Sequence, residues 1–238
     1  MKLLILAGGY GTRLGQAGEQ LPKPLVRVGD QPIIWHVMQL YARHGVTDFV
    51  VCLGYLQDEI RRFFNEVAGN TIPAHWKVQL LDTGLDTMTG GRIARAAREL
   101  RLNERFCVSY ADGVGDVDIT RAIETHRRCG RQATLCAVHP PPRFGILDLK
   151  DDQVVAFAEK RSTKNAWISG GYFVLEPSVL ELIDGDTCVF EKGPIEHLVR
   201  EGQLSVHRHE GFWRPMDTMV DKRYLDELCA DGSAPWLR

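Results

Sequence analysis

The chain lacks any apolar run of 18 residues or more, so no membrane-spanning helix is expected. It lacks an excess of charge of either sign. Its 29 Lys+Arg against 31 Asp+Glu give a formal net charge of −2. That excludes a protein that coats DNA or RNA, which needs a basic surface. Charged residues at 25% and apolar residues at 44% also exclude an intrinsically disordered chain. The six cysteines are scattered, with no CxxC pair. Several sit in apolar surroundings, such as Cys52 and Cys107, which predicts reduced, buried thiols and a cytoplasmic protein rather than a disulfide framework. The apolar start Leu3–Ala7 ends at Gly8-Gly9, too short for the core of a signal peptide, and is expected to be a first strand. His207 and His209 share a strand spacing but have no third ligand nearby, and are expected to be ordinary strand histidines. There is no internal repeat, low-complexity tract or long linker, so residues 1–238 are expected to form a single domain with an elaborated second half.

What is present is a β–α rhythm. Lys2–Ala7, Asp48–Leu53, Lys77–Leu81, Arg105–Tyr110 and Ala133–His139 are expected strands. Pro32–His44, Asp58–Val67, Gly91–Leu100 and Ile119–Cys129 are expected helices, from apolar residues at helical spacing and from start and stop signals such as Pro32 and Gly45. Such alternation predicts an α/β fold with a doubly wound, mostly parallel, Rossmann-like sheet covered by helices on both faces. After Pro140-Pro141-Pro142 the rhythm shortens. Strands are expected at Phe144–Leu149, Val154–Glu159, Ile168–Leu175 and Leu204–His209, with helices at Pro177–Ile183, Pro194–Glu201 and Lys222–Cys229.

The segment Leu6-Ala7-Gly8-Gly9-Tyr10-Gly11-Thr12-Arg13-Leu14 follows the first strand. Its glycines allow close backbone approach to a ligand and turn N–H groups toward an anion. It fits neither GxxxxGK[ST] nor GxGxxG. About ten residues on, two prolines hold Lys23 on a stiff stretch of backbone, as suits a cation aimed at a phosphate. Asp112 follows a strand directly, and Asp217 follows a strand and loop carrying Trp213. Asp112 is thereby placed where an exposed carboxylate meets the ligand crevice of an open α/β sheet. Asp116 and Asp118 do not continue a calcium loop from Asp112, because Val114 and Val117 stand where an oxygen ligand and a glycine are required. They are expected to cap the helix starting at Ile119.

The pattern LAGGYGTRL followed by PKPL resembles the signature of the sugar-nucleotide pyrophosphorylases, the sugar-phosphate nucleotidyltransferases. Further segments resemble one branch, the glucose-1-phosphate cytidylyltransferases. These are QPIIWH (31–36), DTGLDTMTGGR (82–92), RFG (143–145), GGYFVL (170–175) and GFWRPMDT (211–218). The likeness runs from Met1 to Trp236. It implies a Mg²⁺-dependent transfer of CMP from CTP to a sugar 1-phosphate, with release of pyrophosphate and without nucleic-acid or membrane partners, by a homo-oligomer. Arg13 and Lys23 would face the triphosphate. Leu6, Ala7, Gly8, Gly9, Gly11 and Thr12, with Thr87 and Arg92, would contact the nucleotide. Asp112 and Asp217 would hold Mg²⁺, and Lys160, Ser169, Gly170 and Trp213 the acceptor. On sequence alone Arg92 equally suits a solvated helix position, and Lys160 an exposed lysine.

The sequence departs from the pattern at Ala111 (usually Gly), Ser169 (usually Asn) and Arg161 (usually Pro), and is shortened over 65–77. The changes cluster on the acceptor side, so glucose 1-phosphate, another sugar phosphate and a non-sugar phosphate all stay open. The same chemistry with another nucleoside triphosphate and a catalytically silent nucleotide-binding subunit are the other readings. The cytidylyl-like 82–92 segment opposes the former, and the presence of Lys23, Asp112 and Asp217 opposes the latter.

Overall fold

A computed structural model describes residues 1–11, 21–67, 71–141, 146–158 and 166–238. The strands are β1 (Lys2–Leu6), β2 (Arg27–Val28), β3 (Gln31–Pro32), β4 (Asp48–Leu53), β5 (Lys77–Asp82), β6 (Phe106–Tyr110), β7 (Gly113–Gly115), β8 (Ala133–Val138), β9 (Ile146–Lys150), β10 (Gln153–Ala158), β11 (Ile168–Leu175), β12 (Leu204–Arg208) and β13 (Trp213–Pro215). The helices are α1 (Ile33–Arg43), α2 (Gln57–Arg62), α3 (Thr89–Glu99), α4 (Ile119–Cys129), α5 (Gly193–Arg200) and α6 (Met219–Ala230).

Seven strands form the central sheet in the order β12-β8-β11-β6-β1-β4-β5. Neighbours run parallel except β11, which lies antiparallel to both β6 and β8. The sheet is therefore mostly parallel, as the alternation predicts. The reversal at β11 follows a change of connection: α4 returns the chain between β6 and β8, whereas the β9–β10 hairpin carries it from β8 into β11.

Both faces are covered, which explains the unbroken apolar run of β1. Its alternate residues serve two cores. Leu3 and Ile5 pack with Trp35, Met38 and Tyr41 of α1 and Ile123 of α4. Leu4 and Leu6 pack with Ile93 and Ala96 of α3 and Leu198 of α5. A third cluster joins β2, Met216, Leu225 of α6 and the C-terminal Trp236.

The second expected helix, Asp58–Val67, divides into α2 and a π turn at Phe63–Val67. The segment expected to be helical at Pro177–Ile183 is a 3₁₀ turn, Pro177–Leu182. Among the described residues no helix is long and apolar enough to cross a membrane. All six cysteines are free thiols, and Cys52, Cys107 and Cys136 are buried. Burial pushes the Cys52 and Cys107 thiols up to about 12.

Candidate active site

β1 lies between β4, the next strand of this sheet along the chain, and β6. Strand order therefore reverses beside β1, which places a ligand crevice at the carboxyl ends of β1 and β6. A cavity of about 520 Å³ opens there. The loop after β1 forms one wall, the 85–89 loop after β5 another, and Tyr110–Asp112 at the end of β6 the third. Leu6, Ala7, Gly8, Gly9, Gly11, Lys23, Thr87, Arg92, Asp112 and Asp217 all line it. Thr12, Arg13 and Lys160 lie outside the described residues, as does the 143–145 segment.

The two aspartates are brought together by a short antiparallel ribbon. β7 pairs with β13, with Pro215 opposite Gly113 and Trp213 opposite Gly115. Asp112 precedes one strand and Asp217 follows the other, so antiparallel pairing sets them side by side. The Met216 N–H donates to the Asp112 carbonyl (2.8 Å) and locks the register. Asp217 is held from the other side by a capped helix. Thr218 Oγ1 accepts from the Asp221 N–H, and Asp221 Oδ2 accepts from the Thr218 N–H, a reciprocal cap at the start of α6. Asp221 also binds Arg214, whose guanidinium lies over Tyr224.

Lys23 starts a 3₁₀ turn, Lys23–Leu25, behind the extended Pro22. Its ammonium lies 2.6 Å from Asp112 Oδ2 and 2.9 Å from Asp217 Oδ1. Burial pulls its pKa down, but the hydrogen-bonded Asp112 and Asp217 outweigh burial and hold it above the ordinary lysine value. One cation from near the start of the chain thus bridges a carboxylate from its middle and one from near its end. Such a pair of hard oxygen donors suits Mg²⁺, which takes few protein carboxylates and fills its remaining positions with phosphate and water oxygens.

Arg92 is 5% exposed and has a more structural setting than the sequence suggests. One terminal nitrogen donates to Leu53 O, Thr83 Oγ1 and Gly84 O, the other to Gly8 O and Leu85 O, all at 2.7–3.0 Å. These oxygens come from the loops after β1 and β5 and from the last residue of β4. The guanidinium ties two walls of the cavity, the loops after β1 and β5, to the end of β4. A Cβ at Gly8 would lie 2.3 Å from it and one at Gly54 2.5 Å, so both glycines are needed to admit it. Arg92 therefore lines the cavity as a buried clamp, not as a solvated helix residue.

Three of the residues expected to serve an acceptor, Ser169, Gly170 and Trp213, line an adjoining cavity of about 300 Å³ together with Tyr110 and Asp112, which also line the first. The Trp213 indole N–H donates to Gly170 O (3.0 Å), and Tyr172 OH donates to Gly113 O (3.0 Å). Sequence reasoning singled out neither Tyr110 nor Glu191, which also line this cavity. Tyr110 ends a predicted strand at the crevice and was findable. A lone glutamate in a loop carries no pattern.

Of the two other acids, Asp118 caps α4, accepting from the Arg121 N–H. Asp116 does not join it: its carboxylate pairs with His209 at 3.0 Å, because the turn after β12 brings that histidine to it. Among the described residues no group of three metal-ligating side chains gathers.

Residues 2–214 match the nucleotidyl transferase family. The chain is 44% identical over 253 residues to glucose-1-phosphate cytidylyltransferase of Salmonella typhimurium, spanning 99% of this chain and 98% of the relative. It is 31% identical to mannose-1-phosphate guanyltransferase of Emericella nidulans, over 96% of this chain and 64% of the relative. Among solved structures, UDP-glucose pyrophosphorylase complexed with UDP-glucose superimposes with a TM-score of 0.75 at 14% identity, covering 97% and 98% of the two chains. HddC from Yersinia pseudotuberculosis complexed with GMP-PN gives 0.73 at 23% identity, covering 95% and 98%. At these identities the structural likenesses speak for the fold.

Proposed function

Because the chain belongs to the nucleotidyl transferase family, we propose that it joins CMP from CTP to a sugar 1-phosphate and releases pyrophosphate. The observation that carries the proposal is the Lys23–Asp112–Asp217 cluster at the junction of two cavities, one beside the glycine loop and one beside Trp213. The full-length 44% identity to a glucose-1-phosphate cytidylyltransferase supports CTP and glucose 1-phosphate as the substrates.

The reaction needs two anions held in line. An acceptor phosphate oxygen attacks the α-phosphorus of CTP and forms a new P–O bond. The α–β bridging P–O bond breaks, and its electron pair leaves with pyrophosphate. Positioning and charge compensation do most of the work in such a transfer. The glycine loop and Arg92-braced wall receive the nucleotide. Lys23, on its stiff turn, offsets charge developing at the α-phosphate, and Arg13 serves the triphosphate. Lys160, Ser169, Gly170 and Trp213 serve the acceptor. Asp112 and Asp217 would hold Mg²⁺, which when bound supplies positive charge to the phosphate oxygens.

Both cavities are built on one sheet, which supports a single catalytic domain over residues 1–238. Six free cysteines support a cytoplasmic setting. The test is a pyrophosphate-release assay crossing four nucleoside triphosphates with phosphorylated sugars and a non-sugar phosphate. Turnover with CTP and a sugar 1-phosphate is expected. Turnover with UTP or GTP but not CTP would overturn the base assignment, and turnover with the non-sugar phosphate alone would overturn the acceptor class.

A further inference from the structure

Among the described residues one buried side-chain polar atom has no hydrogen-bond partner: Glu191 Oε1. Its fellow oxygen Oε2 accepts from Thr89 Oγ1 at 3.0 Å. Thr89 Oγ1 in turn accepts from the Phe190 N–H at 2.9 Å, so the carboxylate is moored at a fixed place. The mooring is reinforced by backbone contacts between the start of α3 and the 186–191 loop. The Met88 N–H donates to Asp186 O (2.8 Å) and the Gly90 N–H to Cys188 O (2.9 Å). Phe190 is buried beneath, edge-on to Phe173.

A carboxylate oxygen shielded from water with no donor is costly, and a native structure that keeps one calls for a reason. Here the reason is at hand, because Glu191 forms part of the wall of the smaller cavity, the one shared with Asp112, Ser169 and Trp213. The other hydrogen-bonding groups of that wall are largely spent. The Trp213 N–H is given to Gly170 O, the Tyr172 hydroxyl to Gly113 O, and Ser169 Oγ accepts from the Gly171 N–H. Glu191 is left with unmet acceptor capacity. An acceptor-only carboxylate beside an indole whose polar edge is occupied matches a polyol: hydroxyls donate to the carboxylate, and C–H faces pack on the ring.

We infer that Glu191 is a specificity-determining residue of the acceptor cavity, its carboxylate taking a hydrogen bond from a ring hydroxyl of the sugar phosphate. The inference rests on the nucleotidyl-transfer reading and adds to it the group that recognises the sugar rather than its phosphate. Rotation about the terminal carboxylate torsion, a broad and soft one, turns both oxygens together, so presenting Oε1 to the ligand shifts Oε2 on Thr89.

The test uses wild type, Glu191→Ala and Glu191→Gln with CTP, glucose 1-phosphate and its four monodeoxy analogues, alongside thermal melting. Glu191→Ala is expected to raise the KM for glucose 1-phosphate by about tenfold or more, the worth of a hydrogen bond to a charged group, with the KM for CTP nearly unchanged. One deoxy analogue is expected to suffer the same loss with wild type and no further loss with Glu191→Ala. Glu191→Gln, which keeps an acceptor oxygen, is expected to recover part of the loss. An unchanged acceptor KM, equal penalties for every analogue in wild type and variant, or a fall in melting temperature with both KM values rising together would overturn the inference. Calorimetric titration of glucose 1-phosphate alone separates it from the reaction: binding at least about tenfold weaker to Glu191→Ala supports it whatever the nucleotide, and equal or absent binding overturns it. Failure of CTP turnover with intact, Glu191-dependent binding of glucose 1-phosphate would sink the nucleotide assignment alone.

Discussion

Arg92 separates two accounts of the larger cavity, one in which it touches the ligand and one in which it braces the walls. Replacing it with Ala removes donors to five oxygens. Leu53 O keeps the Thr83 N–H and Oγ1, and Gly8 O keeps the Tyr55 N–H. Gly84 O and Leu85 O have Arg92 as their donor and lose it. Two partly buried carbonyls left without partners cost about 1–2 kcal/mol each, toward the low end because water reaches the rim, so about 2–4 kcal/mol in all. For a chain of this size each kcal/mol lowers the melting temperature by about 2–4 °C, so a fall of about 4–16 °C is expected. Arg92→Lys offers three donors for five acceptors on a shorter reach, and is expected to recover less than half of the loss. The assay is a calorimetric melt with no ligand present, paired with the KM for CTP. Melting within about 1 °C of wild type, with a raised KM for CTP, would refute the bracing account and leave Arg92 as a ligand contact.

Lys23→Ala is expected to cut turnover by about 100-fold or more in pyrophosphate release while the fold survives, since an oriented charge at the reacting phosphate is worth that much. It also leaves Asp112 and Asp217 facing each other without their shared cation, so its magnesium requirement is expected to shift to lower concentrations. Asp217→Asn or added EDTA is expected to abolish pyrophosphate release, and excess Mg²⁺ to restore it after EDTA but not in the variant. Thr218→Ala removes the cap beside Asp217, costing about 1 kcal/mol in denaturant melts, and is expected to lower turnover as well. His126 is buried, with burial the main cause that lowers its pKa. A folded pKa below the unfolded 6.5 means that the unfolded chain binds the proton first, so stability falls as pH drops through about 6.5. Buried His36 adds in the same sense. Glu176 is held low by Arg105 and His126 against the opposing effect of burial, so its contribution persists above the usual glutamate range and is lost at more acid pH. Melting temperature is expected to fall between pH 7.5 and 5.5, and His126→Gln to reduce that slope; an unaltered slope would exclude His126 as a source.

What could be read from the sequence and what could not divide along physical lines. β4, α4 and β11 match their expected limits to the residue, because long apolar runs with clear stops leave little choice. The direction of β11 was not legible, since a period of two says which face a residue takes and not which way its neighbour runs. The β7–β13 ribbon was missed because three-residue strands carry no period, yet it is the element that pairs the two aspartates. Lys23 was legible from proline stiffening and Asp112 from a strand end, while Asp217 took its place through the resemblance. Arg92 was visible as a residue but not as a clamp, because burial of a guanidinium depends on Gly8 and Gly54, far apart in the chain. Asp116 was read as a cap and pairs instead with His209, a partner that only the turn after β12 supplies.

The most direct test of the account is to mix the protein with CTP, glucose 1-phosphate and Mg²⁺ and follow phosphorus NMR. The account predicts pyrophosphate together with the paired diphosphate resonances of a CDP-sugar, in equal amounts. No CDP-sugar from CTP, or a diphosphate sugar formed from UTP or GTP alone, would contradict it.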